Sequence, residues 1–128
     1  MSEMADIVRG AYEAFSRGEF DAVVDLLHPE VEWVPPSDSV EPHARRGRDA
    51  VREYLAPNIF EEQTAEPLEL IERGDRVLVV ARVRARAGAS GIEIDQVVYH
   101  LFTIENGLAV RFSAHIERDD ALAALRGQ

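Results

Sequence analysis

The chain contains no cysteine and no lysine; all fourteen of its basic residues are arginine. Without cysteine there is no disulfide, no thiolate nucleophile, no cysteine-held zinc and no iron–sulfur cluster. Without lysine there is no Schiff-base chemistry, no covalently held pyridoxal phosphate and no Walker-type phosphate loop. The four histidines, His28, His43, His100 and His115, form neither HxH nor HExxH, so no metal is expected. No run of ~18 apolar residues exists, so no membrane-spanning helix is expected. The opening Met1–Asp6 lacks the basic-then-apolar order of a signal peptide. The expectation is a cytoplasmic protein.

What is present fits one domain spanning all 128 residues, 46% apolar and 30% charged. The net charge of −10 is unevenly placed. Residues 1–75 carry 18 acids and 7 arginines, and residues 76–128 carry 6 acids and 7 arginines. An acidic chain without a basic stripe does not suit nucleic acid, whose binding rests on phosphate neutralisation. The acids of the first part are spread and read as solvated helix faces, with Asp6 and Asp25 beside the apolar stripes.

The hydrophobic period is helical in the first part and two in the second. Ile7, Val8, Ala11, Ala14 and Phe15 mark a first helix, which Ser2 can cap and Gly18 closes. Residues 20–27 read as a second helix stopped before Pro29, and 31–34 as a short strand. The proline-rich 35–46 reads as a loop. Gly47 to Ala56 is a third helix, with Val51, Tyr54 and Leu55 on its apolar side. Strands are expected from Leu68 and over 76–87, 92–104 and 108–117, with Asn106-Gly107 as a hairpin turn and Asp119 capping a last helix. The fold class is α+β: three main helices packed on one face of a strongly curved antiparallel sheet, a cone with an interior.

The stretches Ala11-Tyr12-Glu13-Ala14-Phe15-Ser16-Arg17-Gly18-Glu19-Phe20-Asp21-Ala22 and Leu27-His28-Pro29-Glu30-Val31-Glu32-Trp33 resemble the cone-shaped nuclear transport factor 2-like superfamily. Gly47-Arg48-Asp49-Ala50-Val51-Arg52-Glu53-Tyr54 and Arg118-Asp119-Asp120-Ala121-Leu122 fit the same pattern. Within it, the chain looks most like the SnoaL-like polyketide-cyclase group, with ketosteroid isomerases more distant. The resemblance implies a pocket between the first helices and the concave sheet face, and a homodimer through the convex face. The isomerases' oxyanion-donating tyrosine aligns with Ala11, beside Tyr12, and their general-base aspartate with Pro35. Asp38, three residues on, can substitute only where the loop folds inward. Their second oxyanion donor aligns with His100, a position that is also histidine in the polyketide cyclases. The cyclases' acid/base aspartate aligns with Ala114.

Strand alternation puts Gln96, Val98, His100, Phe102 and Ile104 on one face, and Val110, Phe112, Ala114 and Ile116 on the pocket side of the last strand. His100 is then the one titratable group among apolar neighbours, able to polarise a carbonyl or shuttle a proton. Its other reading is a buried neutral histidine satisfied by Gln96 or a backbone carbonyl. Trp33 faces inward with Val31, as a stacking wall for a flat ligand or as core. Tyr54 aligns near an aromatic pocket position of the isomerases, and its hydroxyl either meets a ligand or reaches the surface. Arg82, Arg84 and Arg86 share a face. A register pairing 86 with 93 and 84 with 95 makes outer-face ion pairs, although an arginine can also hold a carboxylate. His115 falls on the convex face, as a dimer contact or in water.

Three functions stay open. One is a cofactor-free isomerase, cyclase or (de)hydratase acting on a small, largely apolar molecule. In it His100 is catalytic, and Trp33, Tyr54, Gln96, Val98, Phe102, Phe112, Ala114 and Ile116 bind the ligand. The others are a non-catalytic apolar-ligand-binding module and a dimerisation domain. None needs a cofactor, nucleic acid or membrane.

Overall fold

In a computed structural model, which describes residues 3–35, 43–55, 62–88 and 90–127, the chain opens with α1 (Glu3–Ser16). Its buried stripe runs through Ala5, Val8, Tyr12 and Ala14. Tyr12 is therefore buried while Ala11 is only half-buried. Gly18, in the left-handed conformation at φ 75°, turns the chain into α2 (Phe20–Asp25).

This second helix ends at Asp25 rather than continuing to residue 27, and β1 begins four residues earlier than expected, spanning Leu27–Val34. Leu27 is drawn into the sheet by pairing with Ala109. Pro29 is tolerated because the ladder breaks between Leu27 and Glu32, where its missing N–H is not needed. The expected loop contains a two-residue strand, β2 (Arg45–Arg46), paired to Glu32 and Trp33. Asp38 lies outside the described residues, as does Ser2. α3 (Arg48–Leu55) buries Val51 completely.

Next come β3 (Glu62–Arg73), β4 (Arg76–Arg86), β5 (Glu93–Glu105), β6 (Leu108–His115) and α4 (Arg118–Arg126). β3 starts well before Leu68. A register shift between Pro67 and Glu69 breaks its alternation and leaves Leu68 exposed, hiding its first half from a period-two reading. Asn106 (φ 53°) and Gly107 (φ 81°) form the turn between β5 and β6. The N-cap position of α4 is Glu117, not Asp119, and it makes no side-chain capping bond; Asp119 and Asp120 sit in the first turn, where their negative charge is favoured by the positive end of the helix dipole.

The sheet runs β2-β1-β6-β5-β4-β3. β3 to β6 form the expected antiparallel meander, but β1 joins β6 in parallel, so the sheet is mixed. A shift between Thr103 and Ile104 pairs Ile104 with Ala109. The bulge brings Ala109 into the core and leaves Val110 half-buried, instead of placing Val110 in line with Phe112.

The main core lies between α1, α3 and the concave face, around Val8, Val31, Val51, Val79, Phe102 and Phe112. The helices are not all on one face. α4 packs on the other side, joining Ala121 and Leu125 to Leu78 and Leu101. Val77 to Ala81 are all buried, so this part of β4 needs cover on both faces, and α4 supplies it. Arg76 Nη1 donates to the carbonyls of Ala124 and Leu125, tying down the helix end.

Candidate active site in the cone

A cavity of about 400 Å³ opens between α1, α3 and the concave face of the sheet. That is room for a small organic molecule. β5 contributes Gln96, Val98, His100 and Phe102 to its wall, two residues apart, as the pleat dictates. β6 and the residue after it add Phe112, Ala114 and Ile116, while β1 supplies Trp33 and α3 supplies Tyr54. All nine residues picked from alternation and resemblance therefore line one cavity. Ile104 lies in the core below it. Pro35, at the isomerases' base position, also reaches the wall but carries no carboxylate.

Tyr12 Oη lies 2.6 Å from His100 Nδ1, with the two rings nearly parallel. This contact replaces the expected partners of His100, Gln96 or a carbonyl. It joins α1 to β5 across 88 residues of sequence, so no local pattern marks it. Burial lowers His100 to a pKa of about 4, with repulsion from His115 adding to the shift. Burial also pushes the Tyr12 phenol well above its ordinary value. Both groups are thus neutral at pH 7. A neutral phenol can donate to Nδ1, which puts the imidazole proton on Nε2 and leaves that nitrogen as the donor for a ligand.

An aromatic wall surrounds the pair. Phe112 lies 4.9 Å from His100 and stacks on Trp33 at 3.8 Å. Trp33 in turn faces Tyr54, and the guanidinium of Arg45 sits over the Tyr54 ring at 4.4 Å. Tyr54 is both wall and surface, being 41% exposed. Further lining comes from residues the sequence reading missed: Tyr12, Phe15, Leu55, Gln63 and Val83. The Ala5–Val8–Tyr12 spacing was the signal that could have found Tyr12. Among the described residues, no Asp, Glu or Arg side chain lines the cavity.

The remaining candidates lie elsewhere. Asp6 and Asp25 are exposed. Arg84 is opposite Asp95 and Arg86 opposite Glu93, as the register required. Asp95, however, binds Arg82 through both oxygens, at 2.9 and 2.7 Å, and is only 3.8 Å from Arg84. That hydrogen bond lowers the Asp95 pKa. These arginines alternate with cavity-lining Val83 and so occupy the outer face. His115 is not in open water: it is half-buried and bonds Ser113 Oγ at 2.9 Å. His28 Nδ1 accepts from the Glu30 N–H, and His43 is exposed. Among the described residues, no three His, Asp or Glu groups gather to hold a metal.

A six-stranded mixed sheet with helices over a largely apolar cavity is the architecture of the nuclear transport factor 2-like class. The chain belongs to the SnoaL-like domain family, which it matches over residues 8–112. It is similar to a nuclear transport factor 2-like protein of unknown function from Burkholderia pseudomallei, at 31% identity over 98% of both chains and a TM-score of 0.79. TerC, co-crystallised with polyporic acid, is 24% identical over 99% of this chain and 100% of its own, with a TM-score of 0.79. SalBIII, an epoxide hydrolase/cyclase-like enzyme with a role in pyran ring formation in salinomycin, is 23% identical over 91% and 92%, with a TM-score of 0.76. The last two show the fold alone. No curated protein matches the chain.

Proposed function

We propose that the cone binds a small, largely apolar and uncharged molecule bearing a carbonyl or enol oxygen. His100, held by Tyr12, polarises that oxygen in a cofactor-free isomerisation, cyclisation or (de)hydration. The observation that carries this reading is the neutral Tyr12–His100 pair set in a largely apolar wall free, among the described residues, of carboxylate and arginine side chains. With a pKa of about 4, His100 is a poor proton store at pH 7. Its role is that of a neutral donor, strengthening its bond to an oxygen that gains negative charge in the transition state. Low local polarity makes such a bond stronger than it is in water. The polyporic acid complex of TerC and the cyclase-like naming of SalBIII agree with a small-molecule site.

A non-catalytic binding module is the second reading. Alanine at the cyclases' acid/base position (Ala114) and proline at the isomerases' base position (Pro35) favour it. Both readings accommodate a homodimer through the convex face, where Val97 is 44% exposed.

The test is a thermal-shift screen against steroid-like, polyketide-like, terpenoid and aromatic-acid compounds. A ligand at a hundredfold over its Kd adds about 2.7 kcal/mol of stability, a shift of several degrees. Hits are then incubated in D₂O and followed by proton NMR. Loss of signal beside the carbonyl, absent in a folded His100→Ala variant, establishes catalysis. Binding without exchange or turnover establishes the module. No hit in any class sinks both.

A further inference from the structure

The concave face of β5 gives the cavity two ends. Gln96, Val98, His100 and Phe102 share one wall. Gln96 is exposed, His100 is half-buried, and Phe102 and Ile104 are buried. The open end therefore lies at Gln96 and the closed end at Phe102. Between the two polar residues the wall is apolar: Val83 is opposite Gln96 on β4, Val98 follows along the strand, and Ala114 is opposite His100 on β6.

The strand sets the length of what fits. Four residues put the Cα atoms of Gln96 and His100 about 13 Å apart. Allowing one hydrogen bond at each end, two oxygens held by these residues are about 7–13 Å apart. The ends also differ in chemistry. Neutral His100, accepting from Tyr12 at Nδ1, offers a ligand only an N–H, whereas the Gln96 carboxamide both donates and accepts. A ketone oxygen suits the first and a hydroxyl, which also does both, suits the second. Among the described residues, none hydrogen-bonds the Gln96 side chain, so it meets a ligand without breaking a contact within the protein.

We propose that Gln96 is a specificity-determining residue at the mouth of the cone. The substrate is then an uncharged hydroxy-ketone, its ketone on His100, its hydroxyl on Gln96, and a rigid apolar body between them. This rests on the reading of the cone as a ketone-binding site.

Two probes isolate the outer contact: 4-(4-hydroxyphenyl)cyclohexanone, whose two oxygens fall within that range, and 4-(4-methylphenyl)cyclohexanone, in which a methyl of similar size replaces the hydroxyl. Titration calorimetry measures both against wild type and Gln96→Ala. The ratio of the two dissociation constants is expected to move about fivefold against the hydroxyl compound in Gln96→Ala, equivalent to about 1 kcal/mol. By NMR, Gln96→Ala removes one pair of carboxamide N–H signals and so identifies it. In wild type that pair should shift more with the hydroxyl compound than with the methyl one, a response that a purely structural glutamine does not give. The same ratio in both proteins, or carboxamide signals that answer the two compounds alike, overturns the role of Gln96 and leaves the ketone site standing. Binding of neither compound removes both.

Discussion

The two faces of the β4–β5 hairpin are built from the same residues taken alternately, yet they differ in kind. Inward, Val83, Val98, His100 and Phe102 make an apolar wall with one neutral pair at 2.6 Å. Outward, Arg82, Arg84 and Asp95 form exposed ion pairs in water. The histidines divide in the same way. His100 is half-buried and bonded to Tyr12, and desolvation lowers its pKa to about 4. His115 bonds Ser113 on the other face, and burial lowers its pKa too, with Asp120 opposing the shift. Polar groups on the concave face are therefore few and consequential, whereas those on the convex face are many and individually weak.

The largest disturbance of this contrast comes from filling the concave side. Ala114→Trp occupies the cavity, and ligand binding measured by thermal shift should disappear. Overpacking by itself costs about 1–3 kcal/mol, so a folded variant is expected.

Acid exposes the same contrast through His100. Its pKa is lowered from 6.5 to about 4 on folding. Between these values the unfolded chain takes up a proton that the folded chain does not, so stability falls as the pH drops through this window. The contribution is complete above about pH 6.5 and lost by about pH 4, about 3 kcal/mol in all. Urea unfolding across that range should show the slope in wild type and a much flatter one in His100→Gln. His115 acts in the same direction, so His115→Gln should remove a smaller part.

Tyr12→Phe is milder. It leaves His100 Nδ1 without its partner and should cost about 1 kcal/mol in urea unfolding. Turnover should fall more than stability does, because the imidazole loses the group that orients it. Smallest of all, Asp95→Asn should leave cavity binding unchanged and the melting temperature close to wild type, and salt should erase any difference.

Much of the concave face was legible because strand alternation is a local rule. Gln96, Val98, His100 and Phe102 could be placed from the pleat alone, and so could Arg84 opposite Asp95. The contacts that were not legible are non-local or lie at irregularities. Tyr12 meets His100 only through tertiary packing of α1. Val110 and Ala109 exchange roles at a bulge that no residue type announces, and Pro67 hides the first half of β3. The start of β1 could not be read because Leu27 has helical neighbours, and only its pairing with Ala109 makes it a strand. α4 on the convex face was not legible, since the overall pattern puts the helices on one face; the five consecutive apolar residues Val77 to Ala81 were the signal that could have found it.

The parallel pairing of β1 with β6 has a consequence for how the cone comes into being. Trp33 meets Phe112 beside an ion pair, Glu32 with Arg111, whose partners are 79 residues apart. During synthesis the chain emerges from its N-terminus, so β1 waits without its neighbour until β6 has been made. The aromatic wall is therefore among the last parts to close. Contacts of such long range slow folding, and the interval before closure is when an apolar concave face is open to other chains. The part of the molecule best suited to hold a ligand is also the part most vulnerable to aggregation before the last strand arrives.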